Sequence, residues 1–232
     1  MPFELILFDL DDTLMDFSAA EDWSLEETLS SLGVDLQGLS NAGEDFRVSY
    51  KAHSAKLWAQ VETGEVNKSV VKYERFVRAS QDHNIELDGQ LAGERYLEKL
   101  AERVFYCPFA EELCARLSKE IKLGIITNGI DYVQKRRLAK SSIKEHVDYM
   151  LVSEECGYPK PHPRMFEIAL ERSGVNDPSQ VLMVGDRLES DVLGANNAGL
   201  KSCWYNPHKQ KNHSSIEPNF EIRELRQVIE II

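Results

Sequence analysis

The stretch Glu4 to Leu14, ELILFDLDDTL, restricts the fold more than any other part of the chain. Its apolar run, Leu5 to Phe8, is too short for a helix but long enough for a strand buried on both faces, as in a parallel sheet covered by helices. The run ends in Asp9, Asp11, Asp12 and Thr13. These side chains fall just past the strand's C-terminal edge, where open α/β sheets bind ligands. Residues two apart leave a strand on the same side, so Asp9 and Asp11 can face one pocket. The bland reading of the same stretch, an Asp-rich turn without chemistry, is the lesser of the two.

From about Ser18 to Arg103 the sequence reads as helix after helix. Trp23, Leu25, Leu29 and Leu32 mark an amphipathic helix ending near Gly33. A second helix is expected over Gly43 to Val61, with ETGEVN turning the chain at Gly64. A third runs from about Lys68 to Gln81 and a fourth from Leu91 to Val104. Helices without an intervening strand, directly after the first strand, describe an all-α insertion.

From Pro108 the alternation of strand and helix returns. Helix Ala110 to Ser118 leads to strand Lys122 to Ile126; strand Val147 to Val152 leads through GYPKPHP to helix Arg164 to Arg172. Strand Val181 to Val184 precedes a helix closing at Gly199, followed by strand Leu200 to Tyr205 and a final helix, Ile222 to Ile231. Repeated strand and helix units imply a doubly wound parallel sheet of Rossmann-like α/β class, with every strand-to-helix turn on one edge. No internal repeat is visible.

Composition narrows the partners. The 232 residues carry 27 Lys and Arg against 39 Asp and Glu, a net charge of −12, which argues against nucleic acid and anionic membranes. The start, MPFELILFDLDD, has no basic n-region and does not read as a signal peptide, and no apolar run reaches the length of a membrane span. Cys107, Cys114, Cys156 and Cys203 show no CxxC spacing and read as buried small hydrophobes with reduced thiols, which fits a cytoplasmic protein. His208 and His213 sit in a polar loop, and no Cys and His set has zinc spacing.

Three further loops fall on the same edge as DLDDT. IKLGIIT followed by NG places Thr127 and the amides of Asn128 and Gly129 at a strand-to-helix turn, where they can hold phosphate oxygens or simply cap a helix. In YPKPHP three prolines stiffen the chain around Lys160, a point charge suited to a phosphate or a carboxylate; alone it reads as an exposed loop lysine, and His162 as a cap-facing residue. VLMVGDRLESD delivers Asp186 to the edge, with Asp191 in the first turn of the next helix. Convergence of Asp9, Asp11, Asp186 and Asp191 requires a compensating cation, and oxygen-only ligands point to Mg²⁺.

These four ordered motifs resemble those of the haloacid dehalogenase-like (HAD) hydrolase superfamily, over essentially the whole chain. FDLDDTL is similar to its DxDxT motif, Thr127 stands where its second motif has Ser or Thr, Lys160 matches its third and GDRLESD its fourth. The helical insertion resembles subfamily I with a C1 cap, so the resemblance implies a core of residues 1–16 and 105–232 and a cap of residues 17–104. Dehalogenases lack the second aspartate of the first motif. Asp11 is present, so the resemblance implies phosphoryl transfer.

FDLDDTLMDF, LWAQVETGEVNKSVVKYERF and CGYPKPHPRMFEIAL further resemble pyrimidine-type 5′-nucleotidases, although Arg187 stands where that group is expected to have Ser. By resemblance Asp9 is the nucleophile and Asp11 the acid and base. Thr127, Asn128, Gly129 and Lys160 hold the phosphoryl group. The resemblance further implies that Asp9, the Asp11 carbonyl and Asp186 hold Mg²⁺, with Asp191 either a further ligand or a support behind them. The expected partner is a small phosphorylated metabolite, a nucleoside 5′-monophosphate first, with sugar phosphates or phosphoglycolate as alternative substrates. A phosphomutase and a non-catalytic interaction protein are the rival classes. Phe17, Trp23, Tyr50, Trp58, Tyr73 and Phe76 are available to stack on a base or to fill the helical core. Oligomeric state is not legible.

Overall fold

The computed structural model describes residues 3–36, 42–62 and 64–232. Met1 and Pro2 of the amino-terminal segment and Thr63 of the expected turn lie outside them. Two compact units emerge, residues 1–17 with 104–232, and residues 18–103.

The first unit is a parallel sheet of β1 (Leu5–Phe8), β2 (Lys122–Thr127), β3 (Tyr149–Val152), β4 (Val181–Gly185), β5 (Lys201–Tyr205) and β6 (Phe220–Ile222), ordered β3-β2-β1-β4-β5-β6. The four residues of β1 show why it is apolar throughout. Ile6 and Phe8 enter one core cluster with Leu113, Cys114 and Val228, whereas Leu5 and Leu7 enter another with Met165, Phe166 and Ala195. All four are fully buried, and each contributes about 1.5–3 kcal/mol relative to exposure.

Helices α5 (Ala110–Leu117), α6 (Asp131–Lys140), α7 (Ser153–Cys156), α8 (Pro163–Ser173), α9 (Leu193–Asn197) and α10 (Val228–Ile231) belong to this unit. The expected helix from Ile222 to Ile231 is corrected. Phe220–Ile222 pair with Cys203–Tyr205 as the edge strand β6, and only a 3₁₀ turn, Leu225–Gln227, precedes the short α10. A three-residue strand whose ladder partner lies on β5 leaves no periodicity to read. Gly199 closes α9 at φ +77°, where glycine carries no steric penalty.

The second unit contains α1 (Phe17–Ser31), α2 (Ala42–Glu62), α3 (Lys68–Asp82) and α4 (Gly89–Leu100). Asn67 caps α3 through the Ser69 N–H at 2.9 Å, and Asp88 caps α4 through the Gln90 and Leu91 N–H groups. Helix α4 ends at Leu100, short of the expected Val104, as the chain tightens into an i→i+3 bond from Glu102 N to Lys99 O. Where α3 and α4 pack, a Cβ on Gly93 would overlap the Lys72 carbonyl, so a side chain there would force the helices apart. No helix among the described residues is long and apolar enough to cross a membrane.

Candidate active site

The strand order reverses direction at β1, with β2 and β3 added on one side and β4, β5 and β6 on the other. A crevice opens beyond the strand ends at such a point. Phe8 pairs with Val184, and the Asp9 N–H donates to the Val184 carbonyl at 2.9 Å, so Asp9 leaves the sheet beside Gly185 and Asp186. Asp191 follows from a π-helical turn, Leu188–Val192. A Cβ on Gly185 would overlap the Asp191 carboxylate, and the glycine makes room for that acid to reach the strand end. Asp191 Oδ2 accepts from the Arg187 N–H at 3.1 Å; the side chain is fully buried, beyond what interaction with a helix terminus requires.

Lys160 is not an exposed loop lysine. It is 3 % exposed, and its Nζ lies 2.5 Å from Asp9 Oδ1 and 2.7 Å from Asp191 Oδ1. Asn128 pins its backbone from both sides: Asn128 Nδ2 donates to the Lys160 carbonyl and the Lys160 N–H donates to Asn128 Oδ1, both at 2.8 Å. Burial works against the ammonium, but Asp191 and Asp9 outweigh it, and the net effect raises the Lys160 pKa. His162 caps α8 by accepting from the Arg164 N–H at 3.1 Å.

Carboxylate oxygens of Asp9, Asp186 and Asp191 lie within 4.8 Å of one another, and the Thr13 hydroxyl donates to Asp186 at 3.4 Å. Burial, reinforced by the charges of Asp191 and Asp11 against the opposing pull of Lys160, pushes Asp9 up to about 7. Burial and the charges of Asp9 and Asp191 push Asp186 well above the usual carboxylate range. One ammonium among three carboxylates leaves an excess of negative charge that a divalent cation balances, and an all-oxygen donor set suits a hard ion. The residues therefore fit the Mg²⁺ that the acid pattern implies.

Asp11 points elsewhere. Arg137 Nη1 reaches its Oδ1 at 2.5 Å and Gln134 Nε2 its Oδ2 at 2.6 Å, so its side chain stands apart from the acidic trio. Thr127 is buried at the end of β2. Its Oγ1 accepts from Gln134 Nε2 at 2.9 Å and from the Gly129 N–H at 3.1 Å.

The sequence model of the haloacid dehalogenase-like hydrolases matches residues 3–199. The chain belongs to that family. Within these hydrolases it is 33 % identical to the pyrimidine 5′-nucleotidase YjjG of Escherichia coli K12, over 100 % of this chain and 99 % of the relative. It is 32 % identical to the pyrimidine 5′-nucleotidase PynA of Streptococcus pneumoniae, over 100 % of this chain and 96 % of that one. A crystal structure of the HAD-hydrolase YfnB of Bacillus subtilis, bound to magnesium, superposes with a TM-score of 0.91 at 31 % identity, covering 99 % of this chain and 98 % of the other.

In the helical unit of this family member, Tyr50 and Phe76 are fully buried and pack at 4.9 Å, so they belong to the bundle's core. Tyr96 joins them, with the Arg75 guanidinium 4.4 Å from its ring. Tyr73 is 38 % exposed, and Phe17, Trp23 and Trp58 are partly buried. Gln134 and Arg137 escaped the sequence reading. Their signal was a stripe on α6, Val133, Gln134, Arg137 and Leu138, in which two polar residues occupy buried positions.

Proposed function

We propose that this hydrolase is a Mg²⁺-dependent phosphomonoesterase acting through an aspartyl-phosphate on Asp9. The observation that carries the reading is Lys160 Nζ held between Asp9 and Asp191 beside Asp186. On this reading Asp9 is the nucleophile, set among charges suited to a phosphate dianion once a cation joins them. Asp9, the Asp11 carbonyl, Asp186 and Asp191 would hold the ion. Bound there, Mg²⁺ supplies the positive charge that offsets the carboxylates and the phosphate.

Asp9 attacks phosphorus, and the bond from phosphorus to the leaving oxygen breaks as Asp11 protonates that oxygen. Asp11 then takes a proton from water, whose oxygen attacks phosphorus, releasing inorganic phosphate and restoring Asp9. Thr127, Asn128, Gly129 and Lys160 position the phosphoryl oxygens. Asn128 contributes chiefly by pinning Lys160.

The substrate we propose is a nucleoside 5′-monophosphate of pyrimidine type, supported by the full-length similarity to two pyrimidine 5′-nucleotidases. The core reads phosphate, so selectivity falls to residues 17–104 acting as a cap. Of the aromatics considered for stacking on a base, Tyr73 is exposed and Phe17, Trp23 and Trp58 are partly buried, whereas Tyr50 and Phe76 are committed to packing. The free cysteines support a cytoplasmic location. A panel of phosphomonoesters assayed for released phosphate tests the reading. UMP, dUMP and dTMP should be hydrolysed faster than sugar phosphates or phosphoglycolate at matched concentration. Equal or slower rates would leave only the general phosphatase, and conversion of glucose 1-phosphate to 6-phosphate would make it a mutase.

A further inference from the structure

Helix α6 turns two polar side chains into the protein one helical turn apart. Arg137 is fully buried and Gln134 is 1 % exposed. Between them they grip both oxygens of Asp11, Arg137 on Oδ1 at 2.5 Å and Gln134 on Oδ2 at 2.6 Å, while Arg137 Nη1 also donates to Gln134 Oε1 at 3.1 Å. The same Gln134 Nε2 donates to Thr127 Oγ1 at 2.9 Å. A single amide thus ties the loop after β1 to the end of β2.

Gly129 leaves the path open. A Cβ there would overlap the Gln134 side-chain amide, so glycine at this turn is what lets Gln134 cross to Asp11. Arg137 is not explained by stability. Its Nε and Nη2 are buried without a hydrogen-bond partner among the described residues, and a buried guanidinium with unmet donors is costlier than an aliphatic side chain of similar volume. Asp11 is 25 % exposed and would remain solvated without these donors, but its rotamer would then be free.

We infer that Gln134 and Arg137 are positioning residues that lock the Asp11 carboxylate in register with the Thr127 hydroxyl, so that acid–base group and phosphoryl cradle form one rigid unit. This rests on the phosphatase reading and extends it to how Asp11 is aimed. General acid–base catalysis is worth about 10²–10⁴-fold, and misplacement by about 1 Å forfeits about 10²-fold. The loss must follow the leaving group. A nucleoside alkoxide needs the proton from Asp11 to depart, whereas p-nitrophenolate departs with little help.

The test measures kcat/KM of wild type, Gln134→Leu, Arg137→Met and Arg137→Lys on UMP, or on glycerol 2-phosphate if UMP is not turned over, beside p-nitrophenyl phosphate, with unfolding midpoints as the folding control. Gln134→Leu and Arg137→Met should lose about 10- to 100-fold in kcat/KM on the alkyl phosphate and far less on p-nitrophenyl phosphate. Water activation also needs Asp11, so a burst of p-nitrophenol should appear as the second step slows. Arg137→Lys should recover part of the loss. Should Arg137→Met fail to fold, Gln134→Leu, which keeps the cation, decides. Equal losses on both substrates, or no loss, would overturn the inference. Wild-type protein that hydrolyses none of these esters would overturn the phosphatase reading, and this inference with it.

Discussion

Replacing Lys160 with Met keeps the length of the side chain and deletes its charge, and the consequence depends on whether Mg²⁺ is present. Lys160 Nζ sits 2.5 Å from Asp9 and 2.7 Å from Asp191, with its side chain 2 % exposed and that of Asp191 fully buried. Removing one partner of a buried ion pair costs about 3–5 kcal/mol. The lower end applies because burial already pushes Asp9 up to about 7 and Asp186 well above its usual range, which eases protonation as a way to relieve part of the repulsion once the ammonium is gone. About 3 kcal/mol corresponds to a fall of about 6–12 °C in the unfolding midpoint for a chain of this size. Thermal unfolding followed by circular dichroism, in EDTA and then in saturating Mg²⁺, reads this directly. The gap between wild type and Lys160→Met should be wide in EDTA and narrow in Mg²⁺, because the ion balances the same carboxylates. Equal midpoints in EDTA, or a gap that Mg²⁺ leaves unchanged, would refute the reasoning.

Activity should vanish in EDTA and return with Mg²⁺, measured as phosphate release; full activity after exhaustive chelation would contradict the cation requirement. Asp186→Asn should weaken the activating effect of Mg²⁺, read from a titration of activity against metal, because it removes a charged oxygen from the trio. Gly185→Ala should destabilise the folded protein and impair turnover together, since the new methyl group collides with Asp191; unfolding midpoints and rates that match wild type would show that the strand end yields. Burial pushes the thiols of Cys114 and Cys203 up to about 12 and raises that of Cys107 further, so at neutral pH these three stay protonated. Alkylation of native protein, mapped by mass spectrometry, should therefore label Cys156 well ahead of the others.

Strands with a strong local signature were legible to within two residues. Leu5–Phe8 and Val181–Gly185 are apolar because both faces of the sheet are covered, and the acids that end them are conspicuous for that reason. Strand β6 left no such trace, because three residues pairing at an edge need only one buried side chain, Ile222. Within the site, spacing identified Asp9, Asp11, Lys160, Asp186 and Asp191 as residues that converge on one edge. It did not reveal that Asp11 turns toward α6, since the partners that hold it lie more than a hundred residues away in sequence. A lysine among three prolines reads as surface from composition alone; the Asn128 amide that holds its backbone lies 32 residues away in sequence. Gln134 and Arg137 were hidden by the ordinary expectation that such residues face water.

The central claim is covalent catalysis by Asp9, and trapping the intermediate tests it most directly. Borohydride reduces an acyl phosphate to the alcohol, so wild-type protein quenched during turnover of its best substrate should yield homoserine at position 9 in the digested protein. The same treatment without substrate should leave Asp9 intact. Rapid phosphate release with no reduction at position 9, or with reduction at a different residue, would contradict the account.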